Sequence, residues 1–153
     1  MVIVITEILI DAPIQQCFDL ARDIDIHTQT VWKHTKERAV EGTTSGRIGS
    51  GEYVTFQARH FFIKQKLTSK ITEYVEPYYF VDQMVKGAFK SLRHEHFFEE
   101  CNGRTLMKDK LTFEAPFGII GWITERIVLR PYMKSFLNHR NQQLKILAEK
   151  KSK

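Results

Sequence analysis

The sequence contains few of the residues that build disulfide frameworks or metal fingers. Among its 153 residues there are two cysteines, Cys17 and Cys101, whose spacing matches no common metal-binding motif. It also contains no HExxH motif and no glycine-rich phosphate loop followed by lysine. We therefore expect reduced thiols and a cytoplasmic location, and we exclude the zinc-protease and phosphate-loop nucleotidase classes.

Long hydrophobic runs are absent as well. The apolar opening, MVIVITEILI, is far shorter than the roughly 20 residues that cross a bilayer. It also lacks the basic flank and the small-residue cleavage site of a secretory signal. Its loose alternation of apolar and polar residues predicts a first β-strand instead.

The overall composition is that of an ordinary globular domain. Hydrophobic residues make up 42% of the chain and charged residues 27%. The length predicts one domain over residues 1–150, large enough to bury a core, with residues 151–153 as a flexible tail.

The formal charge of +5 is unevenly distributed. The segment from Arg126 to Lys153 contains eight Lys or Arg residues and one acid, Glu149, so the rest of the chain is net negative. Such a segment favours either peripheral contact with an anionic membrane or a solvated helix whose terminal lysines suit the helix dipole. We expect no nucleic-acid partner, and the sequence leaves a monomer or a homodimer open.

Two short helices are predicted after the first strand. Asp11 and Pro13 are typical of a helix start, as a capping carboxylate and as a proline in the first turn. The segment IQQCFDLARD then has apolar residues at helical spacing, and DIDIHTQTVW predicts a second helix.

The middle of the chain predicts a series of antiparallel strands. One run places Phe56, Ala58 and His60 on a common face. The next run predicts a long half-buried strand, because its apolar residues fall on alternate positions and so share one face. These residues are Phe61, Ile63, Leu67, Ile71 and Val75.

The strongest turn signal is Asn102-Gly103, which favours a two-residue type I′ hairpin. Such a loop fixes the register of the two strands that it joins. It places His96 opposite Asp109 and His94 opposite Leu111, and it makes one charged pair of Glu95 and Lys110. After FEAPFG the period changes to that of a long helix, which Pro131 is expected to kink or interrupt.

These features together resemble a known superfamily. IDAPIQQCFDL near the start and HEHFF…NGRTLMKDKLTFEAPFG before a long helix are similar to START-like proteins, also called SRPBCC or helix-grip proteins. The paired histidines, His94 and His96, and the ARHF strand at Ala58–Phe61 resemble small bacterial members. The resemblance implies an α+β fold in which a curved antiparallel sheet of about seven strands grips a long C-terminal helix.

The resemblance also implies a cavity between the sheet and the helix that binds a hydrophobic or amphipathic, lipid-like or polyketide-like molecule. Strand parity and the helix positions then select the residues expected to line it: Phe56, Ala58, His60, Leu92, His94, His96, Phe98, Asp109, Trp122, Met133 and Phe136.

The roles of the histidines remain open at this point. His96 with Asp109 could act as a general base in a cyclase, hydratase or isomerase. A metal could bind through His60, His94 and His96. The histidines could instead be inward polar residues that satisfy one another and orient a ligand. We predict ligand binding rather than catalysis, with neither a metal nor another cofactor.

Overall fold

The computed structural model describes residues 1–153 and contains one seven-stranded antiparallel sheet, in the order β1-β7-β6-β5-β4-β3-β2. The predicted α+β architecture is therefore confirmed. The strands are β1 (Val2–Ile10), β2 (Arg38–Gly42), β3 (Tyr53–His60), β4 (Ile63–Val75), β5 (Tyr79–Lys86), β6 (Ser91–Cys101) and β7 (Arg104–Glu114).

Two short helices follow β1, as predicted: α1 (Ile14–Ala21) and α2 (Ile24–Thr30). The side chain of Asp23 caps α2 by accepting from the N–H groups of Asp25 and Ile26, at 2.9 and 3.1 Å. Asp11 does not cap α1, contrary to the sequence prediction, because Pro13 occupies the capping position and has no side-chain acceptor. A short 3₁₀ turn, Lys33–Thr35, leads into β2.

The C-terminal helical region has three parts: α3 (Gly118–Thr124), one π-helical turn (Glu125–Leu129) and α4 (Arg130–Lys151). Pro131 lies at the start of α4. Its ring disfavours regular α-helix across the preceding turn, which is the turn that adopts π geometry. The predicted interruption is confirmed. No helix combines the length and the hydropathy that a bilayer-crossing segment needs.

The β6–β7 hairpin has the predicted register. Asn102 and Gly103 both have positive φ, 54° and 81°, as a type I′ turn requires. His96 pairs with Asp109, His94 with Leu111 and Glu95 with Lys110.

The parity predicted for β4 is only partly correct. The pairing of β4 with β5 shifts between Ile71 and Glu73, so Tyr74 turns towards the core and Val75 is exposed. Such a bulge inserts an extra residue and reverses the faces beyond it. At the other end, Phe61 and Ile63 are exposed rather than half-buried.

The buried core has two parts that lie against α4. In one, the Phe18 ring makes edge-on contacts with Tyr74, Phe80 and Phe98, at centroid distances of 5.4 to 5.5 Å. In the other, Leu137 of α4 packs with apolar residues of β1, β6 and β7. Residues of both parts face a space between the sheet and α4.

Candidate functional site

A cavity of about 310 Å³ lies between the sheet and α4. Hydrophobic residues account for 19 of the 32 residues that line it. Both the volume and the mixture of apolar walls with a few polar groups are typical of a site for a small molecule.

Eight of the residues that the sequence predicted do line this cavity in the structure: Phe56, Ala58, His60, Leu92, His94, His96, Met133 and Phe136. They come from β3, β6 and α4, and their inward orientation follows from the strand alternation and from the position of α4.

Three predicted residues lie elsewhere. Phe98 packs edge-on against Phe18, so α1 separates its end of β6 from the cavity. Asp109 is fully buried and does not line the cavity, but it lies beside His94, His96 and Arg140, which do. Trp122 lies on the exposed side of α3, under the guanidinium of Arg126 at 4.1 Å, because α4 rather than α3 packs across β1.

A compact group of two acids and two histidines borders the cavity: Asp82, His94, His96 and Asp109. Nε2 of His94 lies 2.8 Å from Oδ1 of Asp109, and Nε2 of His96 lies 2.7 Å from Oδ2 of Asp82. The two imidazole rings are 3.8 Å apart between centroids. We call these four residues the His–Asp cluster.

Residues of β1 and α4 fix the cluster from behind. The Asn141 side-chain N–H donates to Oδ2 of Asp109 at 2.7 Å and to Oγ1 of Thr6 at 3.1 Å. Arg140, which is 3% exposed, places Nη1 3.8 Å from Asp109 and donates to the carbonyl of Ala21 at 3.2 Å. These contacts leave Asp109 little freedom to move.

The two histidines have opposite electrostatic environments. Burial and the neighbouring charge of His96 lower the pKa of His94, and the contacts of His94 with the two acids only partly offset them. Burial also disfavours a charged His96, but Asp109 and Asp82 together outweigh it and raise the pKa of His96. Nδ1 of His96 lies 3.0 Å from Oδ1 of Asp109 without hydrogen-bond geometry, so we treat this contact as electrostatic.

The acids of the cluster are held ionised. Burial opposes the charge on Asp109, yet hydrogen bonds from His94 and the proximity of His96 bring its pKa well below the usual range. The pKa of Asp82 is lowered by His96 and His94 against the same burial. The lowered pKa of His94 favours its neutral form, in which Nε2–H donates to Asp109 and Nδ1 has a free lone pair, whereas the raised pKa of His96 favours its charged form.

A second polar group lines another part of the cavity. His27 Nε2 lies 2.7 Å from Oε1 of Glu37, and His60 Nδ1 lies 2.7 Å from the Tyr132 hydroxyl. Burial opposes the charge on Glu37, but His27 still lowers the pKa of this carboxyl. Burial lowers the pKa of His60. The cavity therefore offers hydrogen-bonding groups in two places.

Several of these residues were missed by sequence reasoning. Asp82 was not selected, because the uncertain length of the turn after β5 leaves the orientation of its side chain undetermined from sequence. Glu37 and Tyr132 gave no signal in the sequence. Arg140 was not selected because an isolated arginine on a helix is more often exposed.

The metal set that the sequence left as an alternative, His60, His94 and His96, needs a correction. Ligand atoms of Asp82, His94 and His96 lie within 4.8 Å of one another. His60 is not part of this set, because β4 and β5 separate its strand from β6.

Comparison with known proteins gives the following relationships. A sequence profile described as "Polyketide cyclase / dehydrase and lipid transport" matches residues 10–131. No curated protein gives a significant match.

Solved structures share the fold at low sequence identity. TTHA0849 from Thermus thermophilus has 18% identity and a TM-score of 0.77, with 99% of this chain and 100% of that chain covered. A START superfamily protein from Mycobacterium smegmatis has 12% identity and a TM-score of 0.72, with 97% of each chain covered. Major latex-like protein 151 from Panax ginseng has 13% identity and a TM-score of 0.70, with 96% of this chain and 97% of that chain covered. These neighbours confirm the START-like, helix-grip fold.

Proposed function

Since the chain belongs to the polyketide cyclase / dehydrase and lipid transport family, we propose that it binds an apolar or amphipathic small molecule between the sheet and α4. The observation that carries the proposal is an apolar cavity with a buried polar cluster on one wall. The ligand's apolar body contacts residues such as Phe56, Met133 and Phe136, and its polar group hydrogen-bonds to His94.

The electrostatics of the cavity favour a ligand whose polar group is neutral. Asp82, Asp109 and Glu37 are held ionised, and Arg140, the arginine in contact with the cluster, is already engaged by Asp109 at 3.8 Å and by the Ala21 carbonyl. A free carboxylate on the ligand would meet these acids in a region of low dielectric, where repulsion is strong. A carbonyl or hydroxyl group would instead find donors and acceptors without adding charge.

Two measurements test ligand binding. Native mass spectrometry of the gently purified protein is expected to show a small apolar molecule that is released on denaturation. Titration with the uncharged apolar dye N-phenyl-1-naphthylamine is expected to show saturable fluorescence that Met133→Trp weakens, since the larger side chain fills the cavity.

The matched control is Ser135→Trp, two positions along the same helix on its exposed side. It should leave the dye titration unchanged. Equal dye binding in both variants, together with no co-purifying molecule, would contradict the proposal.

A second candidate function is proton transfer on a bound carbonyl compound. The observation that favours it is the opposite displacement of two neighbouring pKa values, because acid and base partners in active sites are separated in this way. In this scheme Nδ1 of His94 takes a proton from the carbon next to the carbonyl. The charge of a protonated His96, whose two ring nitrogens both lie beside acids, stabilises the resulting enolate electrostatically. The base is then His94 supported by Asp109, rather than His96 as the sequence suggested.

A simple exchange reaction tests this candidate. Benzoylacetone in D₂O exchanges its α-protons, and NMR measures the rate. We expect the protein to accelerate the exchange and His94→Gln to abolish the acceleration. His139→Gln, which changes a histidine outside the cluster, is the control and should retain the acceleration. Acceleration that survives in His94→Gln would contradict the assignment of His94 as the base.

A further inference from the structure

The largest departure from an ordinary surface lies on α3 and the π turn. Several large apolar side chains of this segment are exposed, among them Phe117, Ile119, Ile120, Trp122, Ile123 and Ile127. Ile119 is 79% exposed and Ile127 is 70% exposed. Single exposed apolar residues are common, but a contiguous group marks an interaction surface.

The local structure holds α3 with this apolar side outward. A Cβ atom on Gly121 would lie 1.8 Å from the Pro116 carbonyl oxygen. The helix can therefore pack this closely against the Pro116 backbone only because residue 121 has no side chain. The buried carboxylate of Glu125 accepts the Ala115 N–H at 2.9 Å. Rotation that would bury the isoleucines would break both contacts.

The β3–β4 turn extends the same surface. Phe61, Phe62 and Ile63 are exposed, and the Phe61 ring lies 4.5 Å from that of Tyr132 in the first turn of α4. Phe61 and Phe62 have positive φ angles of 53° and 65°, which are uncommon for bulky residues and cluster at functional sites. We name residues 61–63 and 117–127 together the apolar rim.

The rim borders one end of the cavity, because its residue Phe61 lines the cavity, as do Pro116 and Leu129, which flank the rim segment 117–127. The exposed charged residues in the chain segments next to the rim are all positive. Residues 53–72 contain no acid, and Glu125, the one acid between residues 115 and 148, is buried. The exposed charges beside the rim are therefore cations such as Lys64, Arg130 and Lys134.

We propose that the apolar rim docks the protein on a membrane surface that carries anionic headgroups. Isoleucine, phenylalanine and tryptophan side chains enter the interface, while the surrounding Lys and Arg residues contact the headgroups. A second copy of the chain fits less well, because two such rims would bring like charges together. This inference does not depend on ligand binding in the cavity.

Vesicle flotation tests the proposal with the full chain. We expect binding to vesicles of phosphatidylcholine mixed with phosphatidylglycerol, little binding to phosphatidylcholine alone, and weakening by added salt. The double variant Ile119→Ser, Ile120→Ser should reduce the bound fraction roughly tenfold. The double variant Arg130→Glu, Lys134→Glu should reduce it by a similar factor. All these side chains are exposed, so circular dichroism should show an unchanged fold.

The matched control is the pair Ile3→Ser and Ile5→Ser, two exposed isoleucines on β1. It should leave vesicle binding unchanged. Equal binding to neutral vesicles, or equal loss in the β1 control, would overturn the proposal. So would sedimentation showing a dimer that the α3 variant dissociates while no vesicle binding occurs.

Discussion

Asp109 lies opposite His96 on the neighbouring strand, yet the hydrogen bond that its Oδ1 accepts comes from His94, at 2.8 Å. One carboxylate thus serves two imidazoles: it orients His94 through a diagonal hydrogen bond and holds a charge beside His96 at 3.0 Å. Asn141 occupies the other oxygen of the carboxylate. Because they share this carboxylate in different ways, the two histidines have pKa values shifted in opposite directions, although they are neighbours on one face of β6.

The first prediction is that Asp109→Asn is strongly destabilising. The carboxylate is fully buried, and its removal leaves His96 with one charged partner in a region of low dielectric. We expect a loss of about 3 kcal/mol in the free energy of unfolding, measured by urea denaturation at neutral pH. The exposed Asp11→Asn serves as the control and should cost less than about 0.5 kcal/mol. Equal stability of the two variants would show that the cluster does not hold a charge.

The second prediction concerns pH. The pKa of His96 is raised in the folded protein, so its contribution to stability is present below the unfolded pKa of about 6.5 and is lost as pH rises through the folded pKa. The deficit of His96→Gln relative to the unsubstituted protein should therefore be larger at acidic than at alkaline pH.

The contribution of His94 to stability depends on pH in the opposite direction. Because its folded pKa is lowered, the unfolded chain binds more protons below about pH 6.5, and His94 reduces stability as pH falls through that window. The deficit of His94→Gln should therefore shrink at acidic pH. Urea denaturation of both variants across the pH range measures the two trends, and parallel trends would contradict the assignment of different protonation states.

The register that places His96 opposite Asp109 was predictable because it depends on local turn chemistry. Asn102-Gly103 specifies a two-residue turn, and the turn fixes which residues of β6 and β7 face each other. The START-like fold was recognisable for the same reason, since the element order is carried by strong turn and helix signals. Strand alternation then pointed Phe56, Ala58 and His60 in one direction.

The remainder of the site depends on contacts between distant segments. Asp82 faces the cluster through a strand whose pairing contains two register shifts, which no alternation pattern reveals. Arg140 is buried because the Ala21 carbonyl, from the end of α1, accepts one of its N–H groups. Trp122 was expected in the cavity from its position on the C-terminal helix, whereas the close packing of Gly121 against the Pro116 carbonyl turns it outward.

The third prediction contrasts two glycines that are needed for different reasons. Gly103 has a φ of 81° and open space around the position of a Cβ atom, so Gly103→Ala should cost about 1 kcal/mol through backbone strain alone. At Gly121 a Cβ atom would meet the Pro116 carbonyl oxygen, which is part of the backbone. In urea denaturation, Gly121→Ala should lower the free energy of unfolding more than Gly103→Ala does. The reverse order would contradict the close packing of α3 against the Pro116 backbone.

The last prediction is that divalent metals neither stabilise the protein nor occupy the His–Asp cluster. Asp82, His94 and His96 resemble a two-histidine, one-carboxylate site, but Nε2 of His96 lies 2.7 Å from Oδ2 of Asp82. Two ligand atoms that are each about 2.0 to 2.2 Å from zinc in tetrahedral geometry would stand more than about 3 Å apart. The contact between His96 and Asp82 would therefore have to open, and His96 would have to release a proton that both acids stabilise. We expect no rise in the melting temperature when zinc, manganese or iron(II) is added, and no fall with a chelator. A rise that His94→Gln removes and His60→Gln retains would establish a metal site at the cluster and would replace the acid–base assignment of the two histidines.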